Sequence, residues 1–200
     1  ISILLPYKEN FSPDYPGAVS LFVYETSKIS KYKKTITVYG NTEYKNKFKL
    51  KYINIDLKRN LFLSQTNSYV KKFINLEKKS NSSIIEVHNR PSYIHILNSK
   101  IKDKIFTLYF HNDPLSMDGS KSIEQRKKLL KTCYKIIFNS AWSKKRFLQG
   151  LENKFVNSNK LLIFYQSAKK SNLSIIKHKK KWITFVGKLN KAKGYDVFAK

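Results

Sequence analysis

The sequence predicts an α/β fold, a mainly parallel sheet with helices on both faces, followed by the opening of a second α/β domain that is cut short. Three observations lead there. Short apolar runs alternate with helix-period patterns through residues 1–166, as expected of parallel strands joined by crossover helices. The run KIFTLYFHN at 104–112 is apolar almost without a break, as in a strand covered on both faces. After a basic polar stretch at 167–181, of linker composition, WITFVGKLNKAKGYD starts again with a strand, a glycine loop and a helix opening.

Element by element, ISILLP (1–6) is the first strand, and Pro16 after it sits where a first helical residue is tolerated. Val19, Phe22, Val23, Thr26 and Ile29 then form a helical stripe. TITVYG (35–40) and KYINI (51–55) are strands two and three. Between Leu61 and Lys79, Tyr69, Val70, Phe73 and Leu76 share one face of a helix. SSIIEVHN (82–89) is strand four, and RPSYIHILNS is a short helix behind it. Strand five is 104–112. Ser122 and Gln125 then have capping-box spacing ahead of Ile123, Leu129, Leu130 and Cys133. YKIIFNS (134–140) is strand six, Ser140 caps a helix containing Trp142, Phe147, Leu148 and Leu151, and KLLIFYQ (160–166) is strand seven. The domain boundaries expected are therefore 1–166, a linker at 167–181, and a first βα unit at 182–200 whose strand is 182–187. The missing initiator Met and the abrupt stop suggest a chain clipped at both ends.

Composition narrows the function. An apolar share of 41% supports a real core and argues against disorder. No apolar run approaches the roughly 20 residues that span a bilayer, and the start lacks the basic region and cleavage site of a signal peptide. A single cysteine, Cys133, allows no intrachain disulfide and no paired-cysteine metal site, which fits a reducing cytoplasm; its apolar neighbours make it a small core residue. The net charge of +27 invites a nucleic-acid reading. Yet only Arg59, Arg90, Arg126 and Arg146 are arginines, and phosphate grip usually draws on the arginine fork. The abundance of Lys with Asn, Ile, Tyr and Phe favours compositional drift, with anionic lipid as the other beneficiary of the charge.

In an open parallel sheet, ligands bind beyond the carboxyl ends of the strands. Those ends supply Gly17 and Ala18 after strand one, and Glu86, His88, Asn89 and Arg90 at strand four. His111, Asn112 and Asp113 follow strand five, Asn139 and Ser140 strand six, and Gly187 and Lys188 the strand beyond the linker. Each has an ordinary alternative: Asn-Asp-Pro after His111 is also turn chemistry, Arg90-Pro91 also begins a helix, and Gly17 also suits any helix start. His95 and His178 are expected to be solvated or partly packed. The histidine spacings put no ligand pair on one face, so no metal site is expected.

FSP…GAVSLFV, YFHNDP, IIFNSAWSKKRFLQGL and FVGKLNKAKGYD, in this order, are together similar to family 4 retaining glycosyltransferases of the GT-B fold. The resemblance covers nearly the whole chain. It implies a Rossmann-like N-terminal acceptor domain followed by the start of a Rossmann-like donor domain. It also implies sugar transfer from a nucleotide-diphosphate sugar to a hydroxyl of a saccharide or lipid-linked acceptor, in polysaccharide or lipopolysaccharide assembly. The transfer would be cytoplasmic, in solution or peripheral at the inner face of an anionic membrane, and would need no cofactor. By the same resemblance, His111 lies by the reacting sugar. Lys188 stands where the family usually has Arg, and with Lys193, Gly187, Gly17 and Ala18 it would meet the donor diphosphate. Glu86, His88, Asn89, Arg90, Asn112 and Asp113 would face the acceptor. His111-Asn112-Asp113-Pro114 is one residue longer than the family's turn. The family's acidic motif falls beyond Lys200, so the 200-residue chain alone is expected to transfer nothing. The competing readings are a basic nucleic-acid or anionic-surface module, and a Rossmann-like domain that binds a nucleotide without transfer.

Overall fold

The computed structural model describes residues 1–57, 64–167, 184–186 and 194–198. The chain divides into two compact units, Ile1–Gln166 and Ser167–Lys200. In the first unit the strands are β1 (Ser2–Leu4), β2 (Thr37–Gly40), β3 (Tyr52–Asn54), β4 (Ile84–His88), β5 (Ile105–Phe110), β6 (Lys135–Phe138) and β7 (Leu161–Ile163). The helices are α1 (Ala18–Ile29), α2 (Gln65–Glu77), α3 (Pro91–Lys100), α4 (Ile123–Thr132) and α5 (Ala141–Leu148). The strands form one sheet in the order β3-β2-β1-β4-β5-β6-β7, with every neighbouring pair parallel. This is a Rossmann-like α/β sheet, and its order reverses between β1 and β4, where such sheets open a crevice.

Strand alternation decides what each face carries. Ile85 and Val87 of β4, Phe106, Leu108 and Phe110 of β5, and Ile136 and Phe138 of β6 point to one face. There they join Tyr69 and Phe73 of α2, Tyr93 and Leu97 of α3, Leu129 of α4 and Phe147 of α5 in the main core. Phe110, Phe138 and Phe147 pack ring on ring at 5.3–5.7 Å between centroids. Ile3, Leu5 and Val38 point to the other face and meet Val19 and Val23 of α1, together with Phe11 and Phe48. The intervening residues Glu86, His88 and Tyr109 therefore fall on the α1 side. Helices do cover both faces, unequally.

Two helix starts follow the sequence signals: Ser122 and Gln125 form the reciprocal capping box, and Ser140 Oγ accepts from the Ser143 N–H at 3.1 Å. Ser64, not among those signals, caps α2. Cys133 is buried, and that burial pushes its thiol up to about 12. Arg126, almost fully buried, stops α5 by donating from Nη1 to Phe147 O at 2.5 Å and Gln149 O at 2.7 Å. It satisfies carbonyls that the end of a helix leaves unpaired.

Several expectations shift. All strands are shorter than their apolar runs, because pairing stops before burial does: Leu5 and Ile55 are buried outside any strand. Ile29 is 80% exposed, since the apolar stripe of α1 continues past anything that covers it. On α2 the inward turn is completed by Ile74 and Glu77, while Leu76 is exposed. Buried Glu77 accepts from Ser2 Oγ at 2.6 Å. The strand expected at 182–187 is not one over 184–186; Trp182, Ile183 and Gly187 lie outside the described residues. Within this second unit Phe185 packs on Tyr195 and Phe198 of the single turn α6 (Tyr195–Phe198), with centroids 5.7 and 5.4 Å away.

Candidate functional site

The register of β4 on β5 pairs His88 with Tyr109, so His111, two residues further along, projects from the same face of the sheet. Their rings meet: His88 Nδ1 lies 2.9 Å from His111 Nε2. On the other side of the buried His88 ring, Nε2 lies 2.6 Å from Glu86 Oε1. His111 Nδ1 in turn is 2.7 Å from the side-chain amide of Gln166. Tyr109 stacks on both imidazoles, at 5.4 and 4.6 Å, and Phe22 of α1 closes over His111 at 5.1 Å.

Asn89 explains how the two strand ends are clamped. It sits in the left-handed region, φ 56°, which asparagine tolerates better than most residues. From there its side-chain oxygen accepts from the His111 N–H at 3.2 Å, while its own N–H donates to Tyr109 O at 2.7 Å. The loop is held from the β6 side as well, because Asn139 Nδ2 donates to His111 O at 2.8 Å. The imidazole of His111 is shielded from water and faces a second histidine. Both effects disfavour its charged form and lower its pKa from 6.5 to about 3, so the ring is neutral across the physiological range.

The structure thus gathers Glu86, His88, Asn89 and His111 into one cluster at the carboxyl ends of β4 and β5. Asn112 is exposed beside them. Arg90 turns back, donating from Nη1 to Asn89 O at 2.8 Å. Asp113 is committed elsewhere: its carboxylate takes a two-pronged grip from Arg146, at 3.2 and 3.0 Å, and accepts from the Leu115 N–H at 3.1 Å. Arg146 holds the Asp113 carboxyl below the usual carboxylate range. The Asn-Asp-Pro turn is therefore built by Asp113 as structure. His95 is partly packed, one of the two environments expected for it, and is tied by Nε2 to Gly119 O at 2.8 Å.

Gly17 and the exposed Ala18 stand at the start of α1, where a phosphate would be at home. An internal anion is there already. Glu9 Oε1 accepts from the N–H groups of Val19 and Ser20 at 2.9 and 3.0 Å, and Gly17 N–H is spent on Asn10 O at 3.1 Å. A Cβ on residue 17 would lie 2.0 Å from that Glu9 oxygen, which is why glycine fits here. Gly187, Lys188 and Lys193, and His178, lie outside the described residues.

Sequence reasoning passed over Gln166 and Glu9. The rule that ligands gather at strand ends covers Gln166, just past β7, as it covers Asn89, Asn112 and Asn139. Nothing in the sequence marks Glu9. A separate groove of about 890 Å³ lies between α5 and the β7 edge, lined by Trp142, Lys145, Leu148, Val156 and Ile163, and shares no residue with the histidine cluster. Among the described residues no group of three His, Cys, Asp or Glu side chains is placed to hold a metal ion, and no helix is long and apolar enough to cross a membrane.

No family model matches this chain, and no curated protein matches it. Among solved structures, the fold is similar to Anabaena HepE in complex with UDP and glucose: TM-score 0.56, 15% identity, covering 84% of this chain and 44% of that one. It is likewise similar to Anabaena HepE in complex with UDP-glucose, with TM-score 0.55 and 16% identity over 82% of this chain and 43% of the other. The chain spans less than half the length of the structures it matches. At such identity the likeness establishes the Rossmann-like fold.

Proposed function

We propose that this chain is the acceptor-side part of a glycosyltransferase that uses a nucleotide-diphosphate sugar. The observation that carries the reading is the Glu86–His88–His111 cluster at the carboxyl ends of β4 and β5, beside the sheet's switch point. The likeness to HepE, seen with UDP-glucose, supports the donor class. The four ordered motifs support family 4, with transfer that retains anomeric configuration. They also support a saccharide or lipid-linked acceptor in polysaccharide or lipopolysaccharide assembly, in the cytoplasm or at its anionic membrane face.

In this reading catalysis is positioning and electrostatics. Neutral His111 orients the reacting sugar through a hydrogen bond, and Asn89 and Asn139 fix the loop that presents it. Lys188 and Lys193, with the backbone of Gly187, neutralise charge growing on the leaving diphosphate. Gly17 and Ala18 take part only after Glu9 swings off the N-terminus of α1. The test is nucleoside diphosphate release by the protein extended to the length of its structural neighbours, against a panel of nucleotide sugars and acceptors. Release that needs both a donor and an acceptor, and that His111→Ala abolishes, is expected. Failure to release the nucleoside diphosphate from any donor would refute it, the more so if the protein instead bound nucleic acid with steep salt dependence.

A further inference from the structure

We propose that the Gln166 amide marks the place of a substrate hydroxyl, and that Glu86, acting through His88, holds His111 in the tautomer that accepts a hydrogen bond from it. The identity of that hydroxyl, one on a sugar, rests on the transferase reading; the tautomer does not.

Four side chains stand in line: Glu86 Oε1 to His88 Nε2 at 2.6 Å, His88 Nδ1 to His111 Nε2 at 2.9 Å, and His111 Nδ1 to Gln166 at 2.7 Å. A neutral imidazole can carry its proton on either nitrogen, and an amide can turn to donate or accept. Only a carboxylate has a fixed role, since it accepts and never donates. Where His88 carries one ring proton, Glu86 therefore sets the direction of the whole chain. It draws the His88 proton to Nε2, which leaves His88 Nδ1 bare. Nδ1 must then receive the N–H of His111 Nε2, and that leaves the Nδ1 lone pair of His111 facing outward.

The arrangement is insulated. His88 is fully buried, so no water competes within it, and Tyr109 stacks on both rings. Burial keeps His111 neutral, so the outward nitrogen stays an acceptor over the working pH range. Gln166, by contrast, is exposed, and its amide is the one member that can leave without unburying anything. A hydroxyl that takes its place donates to the same lone pair; an ether or carbonyl oxygen there has no proton to give. Glu86 is thus a positioning residue, and Gln166 a stand-in.

The test is long-range ¹H–¹⁵N NMR of the histidine rings in the ¹⁵N-labelled 200-residue chain. Wild type should show His111 protonated on Nε2 alone. In Glu86→Gln, whose amide can donate or accept, the reverse tautomer should appear as a substantial second population. Gln166→Ala should leave the wild-type tautomer in place. A wild-type His111 protonated on Nδ1, or an unchanged tautomer in Glu86→Gln, overturns the proposal whatever the enzyme does. In the extended protein, Glu86→Gln should lower kcat/KM by roughly threefold to tenfold, the size of one neutral hydrogen bond. Gln166→Ala should leave the donor or acceptor KM unchanged or lower it; a clear rise would mean that Gln166 is itself a substrate contact and would overturn the stand-in role. A donor analogue lacking the contacted hydroxyl should lose its discrimination in Glu86→Gln. If the extended protein transfers no sugar from any donor, the transferase reading falls, and the NMR result still decides the tautomer.

Discussion

Acid should destabilise the first unit through His111 before it touches the carboxylates. In the folded chain His111 is held to a pKa of about 3, against 6.5 as its ordinary value, by burial first and by His88 second. The unfolded chain therefore binds a proton that the folded chain refuses. A group depressed in this way contributes stability that is fully present above pH 6.5 and is lost as pH falls from there toward 3. Taking both values, the loss on going from neutrality to a pH of about 5 is about 2 kcal/mol. With a urea slope of about 1–3 kcal/mol per molar, the unfolding midpoint drops by roughly 1 M. Asp113, whose carboxyl is held low by Arg146, is still ionised there and its contribution is intact. The assay is urea unfolding followed by far-UV circular dichroism at the two pH values, in wild type and His111→Gln. Glutamine can still hydrogen-bond His88 but has no proton to gain. The variant should lose much less stability on acidification than wild type. An equal loss in both proteins would refute the assignment.

Gly17→Ala should destabilise the chain by about 1 kcal/mol, the usual worth of a helix cap, because the new Cβ at 2.0 Å expels Glu9 Oε1 from two N–H groups. Combined with Glu9→Ala it should cost little more than either change alone, and a double-mutant cycle on unfolding midpoints checks the coupling. Arg126→Met should cost about 1–3 kcal/mol or more, since it strands the buried carbonyl of Phe147 as well as that of Gln149; denaturant melts measure it, and a wild-type midpoint would show that water replaces the guanidinium. In the extended protein, Lys193→Ala should reduce turnover by about 10²-fold, as for one preorganised electrostatic contact, while Lys179→Ala or Lys180→Ala changes little; equal losses would mean that only bulk charge matters.

What could be read from the sequence, and what could not, divides along the reach of the interactions. Strand alternation is local, so EVH already separates Val87, which faces the core, from Glu86 and His88, which share the opposite face. Capping is local too, and Ser122, Gln125 and Ser140 act as their spacing announced. Topology then brings the ends of β4 and β5 together, which is enough to bring His88 to His111 once the strands are parallel neighbours. Interactions chosen by side-chain reach across the fold left no such trace. Gln166 meets His111 across 55 residues of sequence and Arg146 meets Asp113 across 33; no periodicity encodes either contact. The same division explains why Gly17 was legible as a helix start but not as a place already filled. The glycine follows from local backbone and the α1 stripe, whereas its occupant, Glu9, comes from a loop whose path only the folded chain defines. Helix dipole and free N–H groups favour any anion there, whether a phosphate or the chain's own carboxylate. A donor phosphate in that position must therefore displace Glu9 from two hydrogen bonds. Removing Glu9 by mutation should weaken the fold and open the α1 terminus in the same step.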